Sequence, residues 1–316
     1  MSETRLLPAN CDGLSAVAAI LQAGGLVAFP TETVYGLGAD ARNDRAVARI
    51  FEAKERPSFN PLIVHVPSLE AAREYARVEG VMADLAAAYW PGPVSLVVPA
   101  REGALSALVT AGLPTVAIRV PSHPLAQDLL AKFGGPVAAP SANPSGRVSP
   151  TAAAHVMQGL AGRIEAVVDG GACEVGLEST IIGSEGETPV LLRPGGLPAE
   201  AVEAQLGHSL GLYAEATITA PGQMTSHYAP GARLRLNAEA SGPGEVWLGF
   251  GDGEVAPEVG LSLSPHGDLV EAAANLFAHL RALDGRAETI AVAAIPCRGL
   301  GRAINDRLAR AAAPRG

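Results

Sequence analysis

The chain has 316 residues, of which 48% are hydrophobic and 17% charged. That composition supports a sizeable core and excludes a disordered polymer, and the length suggests two domains. A net charge of −9 argues against a general nucleic-acid binder but leaves room for a local basic site.

No apolar signal core opens the sequence and no apolar run reaches membrane-spanning length, so a cytoplasmic protein without membrane contact is expected. Cys11, Cys173 and Cys297 are far apart and odd in number, with no metal or disulfide spacing. Buried structural thiols in a reduced compartment are the expectation. Only Lys54 and Lys132 among the 23 basic residues are lysines.

In chain order, strands are predicted at Leu26–Phe29, Ile63–Val66, Val94–Val98, Val116–Val120, Pro136–Ala139, Ala166–Val168, Thr180–Ile182 and Val190–Leu192. They alternate with helices at Ser15–Gln22, Asp44–Ala53, Leu69–Ala76, Met82–Tyr89, Leu125–Lys132, Thr151–Leu160 and Ala199–Leu206. This is an α/β layered pattern. It breaks near Tyr213–Gly231, which has two Pro-Gly steps and reads as a linker, although Met224, His227 and Tyr228 suit packing or ligand contact. A smaller α/β unit follows, with strands at Leu234–Leu236, Val246–Phe250 and Thr289–Ile295 and helices at Leu269–Leu283 and Arg302–Ala312. The expected division is 1–212, 213–231 and 232–316. From Arg298 onward five arginines stand against Asp306, the pattern of a solvated helix face.

Polar clusters recur at strand ends. Pro30 ends the first strand and Thr31-Glu32-Thr33 follows, then Tyr35, Gly36 and Gly38. Lys54, Arg56 and Asn60 form a basic loop stiffened by Pro57 and Pro61; a Lys point charge and an Arg fork suit a polyphosphate. His65 and Arg119 sit inside apolar strands. A buried arginine requires a partner, either an internal carboxylate or one brought by a ligand. Ser141, Asn143, Ser145 and Ser149 make a donor-rich loop before a helix, suited to phosphate, or to a turn with Ser149 or Thr151 as N-cap. Glu178, Ser179 and Thr180 precede a strand, and Arg193 ends one. No nucleophile elbow, paired acid, metal cluster or P-loop motif is present.

Together PTETVYGL, KERPSFNPL, WPGPVSLVV, VAIRVPSHP, PSANPSG, GLESTII and LLRPG closely resemble the YrdC-type threonylcarbamoyl-AMP synthases, in order over nearly all of residues 14–200. HYAPGA and GLGRAINDRLARAA are similar to the long form of that family. The resemblance implies a YrdC-like twisted mixed sheet with helices around a concave cavity, plus a smaller Rossmann-like α/β C-terminal domain. It implies condensation of L-threonine, bicarbonate and ATP into threonylcarbamoyl-AMP and pyrophosphate, with Mg2+ on the ATP. A partner transferase then passes the group to tRNA adenosine beside the anticodon; direct tRNA binding is expected to be weak or absent. Carried over residue by residue, ATP falls to Lys54, Arg56, Asn60, Thr115, Ser141, Asn143, Ser149, Arg193 and Tyr228. Threonine falls to Thr33, His65, Arg119, Ser179 and Thr180, with Thr31 the alternative to Thr33. No covalent nucleophile and no protein-held metal are expected. Three other readings use the same residues: a double-stranded RNA module, a carbamoyl-adenylate-forming maturation factor, and a nucleotide sensor without chemistry.

Overall fold

A computed structural model describes residues 3–57, 60–186, 188–212, 227–251, 253, 255, 256 and 258–314. The larger sheet is built from β1 (Arg5–Pro8), β2 (Val27–Phe29), β3 (Gly36–Asp40), β4 (Ile63–His65), β5 (Val94–Pro99), β6 (Thr115–Arg119), β7 (Val137–Ala138), β8 (Ala166–Asp169), β9 (Thr180–Glu185), β10 (Thr188–Arg193) and β11 (Gly211–Leu212). Its helices are α1 (Cys11–Gln22), α2 (Asp44–Lys54), α3 (Leu69–Tyr75), α4 (Gly80–Tyr89), α5 (Ala107–Thr110), α6 (Pro124–Phe133), α7 (Ala153–Leu160) and α8 (Ala199–Leu206). The strand order is β1-β8-β2-β3-β7-β4-β6-β5-β9-β10-β11. Parallel and antiparallel pairings are mixed, with β4 parallel to β6 and β5 antiparallel to it.

Both faces of this sheet are covered, which is why its strands read as apolar runs. Along β2, Val27 and Phe29 pack with α1 and α6, while Ala28 packs on the opposite face with α2. Helix α2 starts where Asn43 accepts from the amides of Arg45 and Ala46, at 3.0 and 3.2 Å. It stops at Glu55, whose φ of 53° turns the chain out of the helix.

The second unit contains β12 (Arg233–Ala238), β13 (Glu245–Gly249), β14 (Gly260–Ser262), β15 (Thr289–Ala293), α9 (Leu269–Leu283) and α10 (Leu300–Ala312). Its sheet is all-parallel, ordered β12-β15-β13-β14. The hydrophobic core of this unit takes in Val34, Val148 and Leu177 from loops of the first unit, beside Leu276 and Phe277 of α9. Burying such side chains contributes about 1.5–3 kcal/mol each, enough to seat the second unit against those loops. Gly176 shows how close the approach is: φ is +73°, and a Cβ there would lie 2.4 Å from the Ala273 carbonyl oxygen of α9.

Several expectations are corrected. Gly36–Asp40 forms strand β3, not a loop; glycine hides a strand from a propensity reading. Gly38 is needed because a Cβ there would lie 2.8 Å from the Phe29 ring on the paired strand. The α7 N-cap is Ala152, with no side-chain cap from Ser149 or Thr151. Cys173 is buried, whereas Cys11 and Cys297 are exposed; Cys11 opens α1 and Cys297 lies in the loop before α10. The solvated face expected for α10 fails at Arg307, which has no exposed surface. It falls in step with Leu300, Ala303, Ile304, Leu308 and Ala311 on the buried side. Among the described residues no helix is long and apolar enough to cross a membrane. Residues 213–226 of the expected linker, Met224 included, lie outside the described residues.

Candidate active site

Strand alternation builds one wall of a cleft. Ile63, Ala117 and Ile181 form a small apolar cluster on one sheet face. Two residues further along the same strands, the same face carries His65 and Arg119, which are register partners. Ser179 stands just before β9, two residues ahead of Ile181, and Arg193 pairs with Ile181 from β10. The cleft has about 520 Å³ of empty space, counting the part open to solvent.

The turn after β2 supplies the next wall. Thr31 Oγ1 donates to the Val34 carbonyl at 2.7 Å and accepts from the Thr33 amide at 3.2 Å. Its oxygen also lies 2.7 Å from Thr33 Oγ1. Arg119 Nη1 donates to Thr33 Oγ1 at 2.9 Å, and Arg119 Nε donates to the Gly92 carbonyl at 3.1 Å. Arg119 Nη2 lies 2.6 Å from Glu32 Oε1, both side chains being buried. The internal carboxylate is therefore the partner of Arg119 in this structure. Burial raises the Glu32 pKa, but the charge and hydrogen bond of Arg119 outweigh it and hold the carboxyl below its ordinary value.

The basic loop divides into two parts. Lys54, 1% exposed, does not line the cleft; its ammonium donates to the carbonyls of Ser141 and Asn143. Asn143 Nδ2 ties the same loop by donating to the Pro144 and Arg147 carbonyls at 2.8 and 2.9 Å. Arg56 lines the cleft. Its guanidinium donates to the carbonyls of Asn60 (3.3 Å) and Pro61 (2.9 Å), and among the described residues no carboxylate pairs with it. Burial, with the Arg193 charge added, brings its pKa down to about 10. Arg193 donates to the Ser179 carbonyl at 2.8 Å and to Ser179 Oγ at 3.2 Å.

Tyr228 closes the arrangement. It is 2% exposed, with φ 63°, and lines the cleft beside His227. Its ring stacks on Phe277 of α9 at 5.7 Å, and the Arg307 guanidinium of α10 stands 5.0 Å from the ring centroid.

Of the residues expected for ATP and threonine, the structure brings Thr33, Arg56, His65, Arg119, Ser141, Ser179, Arg193 and Tyr228 to the cleft lining. Lys54 and Asn143 sit behind the Ser141 loop. Asn60 is buried beneath Arg56, its carbonyl accepting from the guanidinium. Thr115, Ser149 and Thr180 do not line the cleft. Thr115 starts β6 at the end opposite Arg119, Ser149 donates to Glu178, and Thr180 donates to the Leu197 carbonyl.

The chain matches a family model described as Telomere recombination over residues 19–195, and one described as Threonylcarbamoyl-AMP synthase, C-terminal domain, over residues 197–313. A Bacillus subtilis protein named threonylcarbamoyl-AMP synthase is 41% identical over 332 residues, covering 98% of this chain and 95% of that one. The chain belongs to the threonylcarbamoyl-AMP synthase family. A Pyrococcus abyssi protein of the same name is 41% identical over 93% of this chain and 92% of its own length. The crystal structure of Pyrococcus abyssi Sua5 complexed with L-threonine matches with a TM-score of 0.88 at 37% identity, over 98% of each chain.

Among the described residues Glu178 is the one acidic residue that lines the cleft; its place before a strand implied no role for it, and none was expected of Arg307 behind it. A signal existed for Arg307, in the helical spacing of its apolar neighbours. His227, which HYAPGA suggested only weakly, lines the cleft.

The buried histidines give a pH prediction. Burial, with the charge of Arg119 added, brings the His65 pKa down to about 3. Burial, with Arg56 and Lys54 adding charge, brings His227 to about 3 as well. Unfolded histidine titrates near 6.5, so each ring folds neutral and binds its proton when unfolded. The stability this gives is full above pH 6.5 and declines as pH falls toward 3, by about 1.4 kcal/mol per pH unit for each ring. Urea unfolding at pH 7 and pH 5 should show a smaller acid loss in a His65→Gln/His227→Gln protein; an equal loss in both proteins contradicts the prediction.

Proposed function

We propose that this chain condenses L-threonine, bicarbonate and ATP into threonylcarbamoyl-AMP and pyrophosphate, for threonylcarbamoyladenosine modification of tRNA. The observation that carries the reading is Arg56, buried in the cleft with backbone carbonyls as its hydrogen-bond acceptors. A guanidinium taken out of water in that way is costly unless an anion arrives. Arg193 and Ser141 line the cleft beside it, and the phosphates of ATP supply the anion. Lys54, Asn143 and Asn60 hold those groups from behind. Thr115 and Ser149 act on the nucleotide only through the framework around it.

Threonine occupies the part of the cleft at Thr33, His65, Arg119 and Ser179, with Thr180 fixing the strand entry below. The Arg119 charge is shared between Glu32 and the threonine carboxylate. The threonine amine adds to the carbon of bicarbonate and water is lost, giving a carbamate. A carbamate oxygen then attacks the α-phosphorus and pyrophosphate leaves. Carbamates decompose in water, so Tyr228 and His227 close the cleft over this step. Catalysis comes from positioning and charge, without a covalent intermediate on the protein.

Glu32 and Glu178 at the cleft are engaged by Arg119 and Arg307, so Mg2+ enters on the triphosphate, held by phosphate oxygens and water. We assign residues 1–212 to catalysis, 213–231 to a lid-bearing linker and 232–316 to a Rossmann-like C-terminal domain. The product passes to a tRNA threonylcarbamoyl transferase in the cytoplasm; with a net charge of −9 the chain itself binds tRNA weakly. A pyrophosphate-release assay tests the reading: release should stop when either threonine or bicarbonate is left out. Release from ATP alone sinks it.

A further inference from the structure

We propose that Arg307, on the last helix of the second unit, is a positioning residue that keeps the ATP side of the cleft electropositive by serving as the counter-ion of Glu178. The inference rests on the proposed reading of that cleft. Among the described residues Glu178 is the one acidic residue in the lining, beside Arg56 and Arg193. Its two oxygens have separate partners: Oε1 accepts from Ser149 Oγ at 2.5 Å, and Oε2 accepts from Arg307 Nε at 2.8 Å. The serine is neutral, so among the described residues Arg307 is the cation that forms an ion pair with this carboxylate. Arg307 does not line the cleft and has no exposed surface, so it acts from behind the wall. Asp306 (2.6 Å to Nη1) and the Tyr228 ring fix its direction.

Without Arg307 the Glu178 charge would face the polyphosphate across a poorly solvated gap and would compete with it for the neighbouring guanidiniums. One unit charge a few ångströms away in such a medium changes anion affinity by roughly tenfold or more. Sequestering Glu178 thus gives the second unit a share in ATP binding without a contact to ATP.

The test is calorimetric titration of the full-length protein with magnesium and a non-hydrolysable ATP analogue. Wild type is compared with Arg307→Met, Glu178→Gln and the double variant, each checked by thermal melting. Arg307→Met should weaken binding by roughly tenfold or more, Glu178→Gln should bind at least as tightly as wild type, and the double variant should return to within about threefold of wild type. If Arg307→Met does not fold, the double variant, which buries neither charge, decides. Its binding within about threefold of wild type supports the inference, and weaker binding overturns it. An unaffected Arg307→Met, a weakened Glu178→Gln, or a double variant as weak as Arg307→Met overturns the counter-ion role and leaves the reading of the cleft standing. Failure of wild type to bind the analogue overturns that reading and this inference with it.

Discussion

Replacing Arg56 by methionine is expected to lower pyrophosphate release by about 100- to 1,000-fold while leaving the melting temperature unchanged or higher. The two effects have one cause. Arg56 is 8% exposed, and its guanidinium donates to two carbonyls and has no carboxylate partner among the described residues. Its desolvation is therefore poorly compensated until an anion arrives, so the empty protein carries a cost that ATP relieves. Methionine keeps an unbranched apolar stem in the same space and removes the charge. The Asn60 and Pro61 carbonyls lose a donor, which is a smaller penalty than an uncompensated charge. Steady-state kinetics and a thermal melt on the same preparation check both halves. Near-normal turnover would remove Arg56 from the phosphate role. Lost turnover with a large fall in melting temperature would make it a structural residue.

Arg119→Ala should behave in the opposite way and cost about 3–5 kcal/mol of stability, because it leaves Glu32 buried without its counter-ion. Kinetics on this single variant would mix damage to the fold with damage to the site. The informative protein is Glu32→Gln/Arg119→Met, which buries neither charge. It should regain most of the lost stability yet require roughly tenfold or more threonine, with the ATP requirement little changed, since Arg119 also holds Thr33 Oγ1 at 2.9 Å. A normal threonine requirement in that protein would end the assignment of Arg119 to substrate. The pair also has a signed pH dependence. The folded Glu32 pKa is depressed, so the stability it gives is present above the ordinary carboxylate value of 4.5 and is lost as pH falls below it.

Much of this architecture is legible in the order of residues, for physical reasons that can be named. Strands such as Ile63–His65 and Thr115–Arg119 are buried on both faces, so they stand out as apolar runs, and a polar group inside one, such as His65 or Arg119, marks a site. Strand β3 escapes because Gly36 and Gly38 were selected by the Phe29 and Ala139 side chains against them, a tertiary demand that no local propensity reveals. The candidate site divides in the same way. Residues at strand ends, such as Arg193 and Ser141, reach the cleft because the sheet carries them there. Lys54 and Arg56, two residues apart, separate because α2 ends between them in the left-handed turn at Glu55. Ser149 and Arg307 were least legible: Ser149 meets Glu178 across 29 residues of chain and Arg307 meets it across 129, and the second pairing exists only once the second unit has docked.

On the proposed mechanism, one cleft brings threonine, bicarbonate and ATP into a single covalent product. Incubating the full-length protein with all three, using carbon-13 bicarbonate, and analysing the nucleotide products by mass spectrometry tests it most directly. The expected product is an adenylate carrying both threonine and the labelled carbon, formed in step with pyrophosphate. Pyrophosphate accompanied by plain AMP, or an adenylate of threonine without the label, would contradict it.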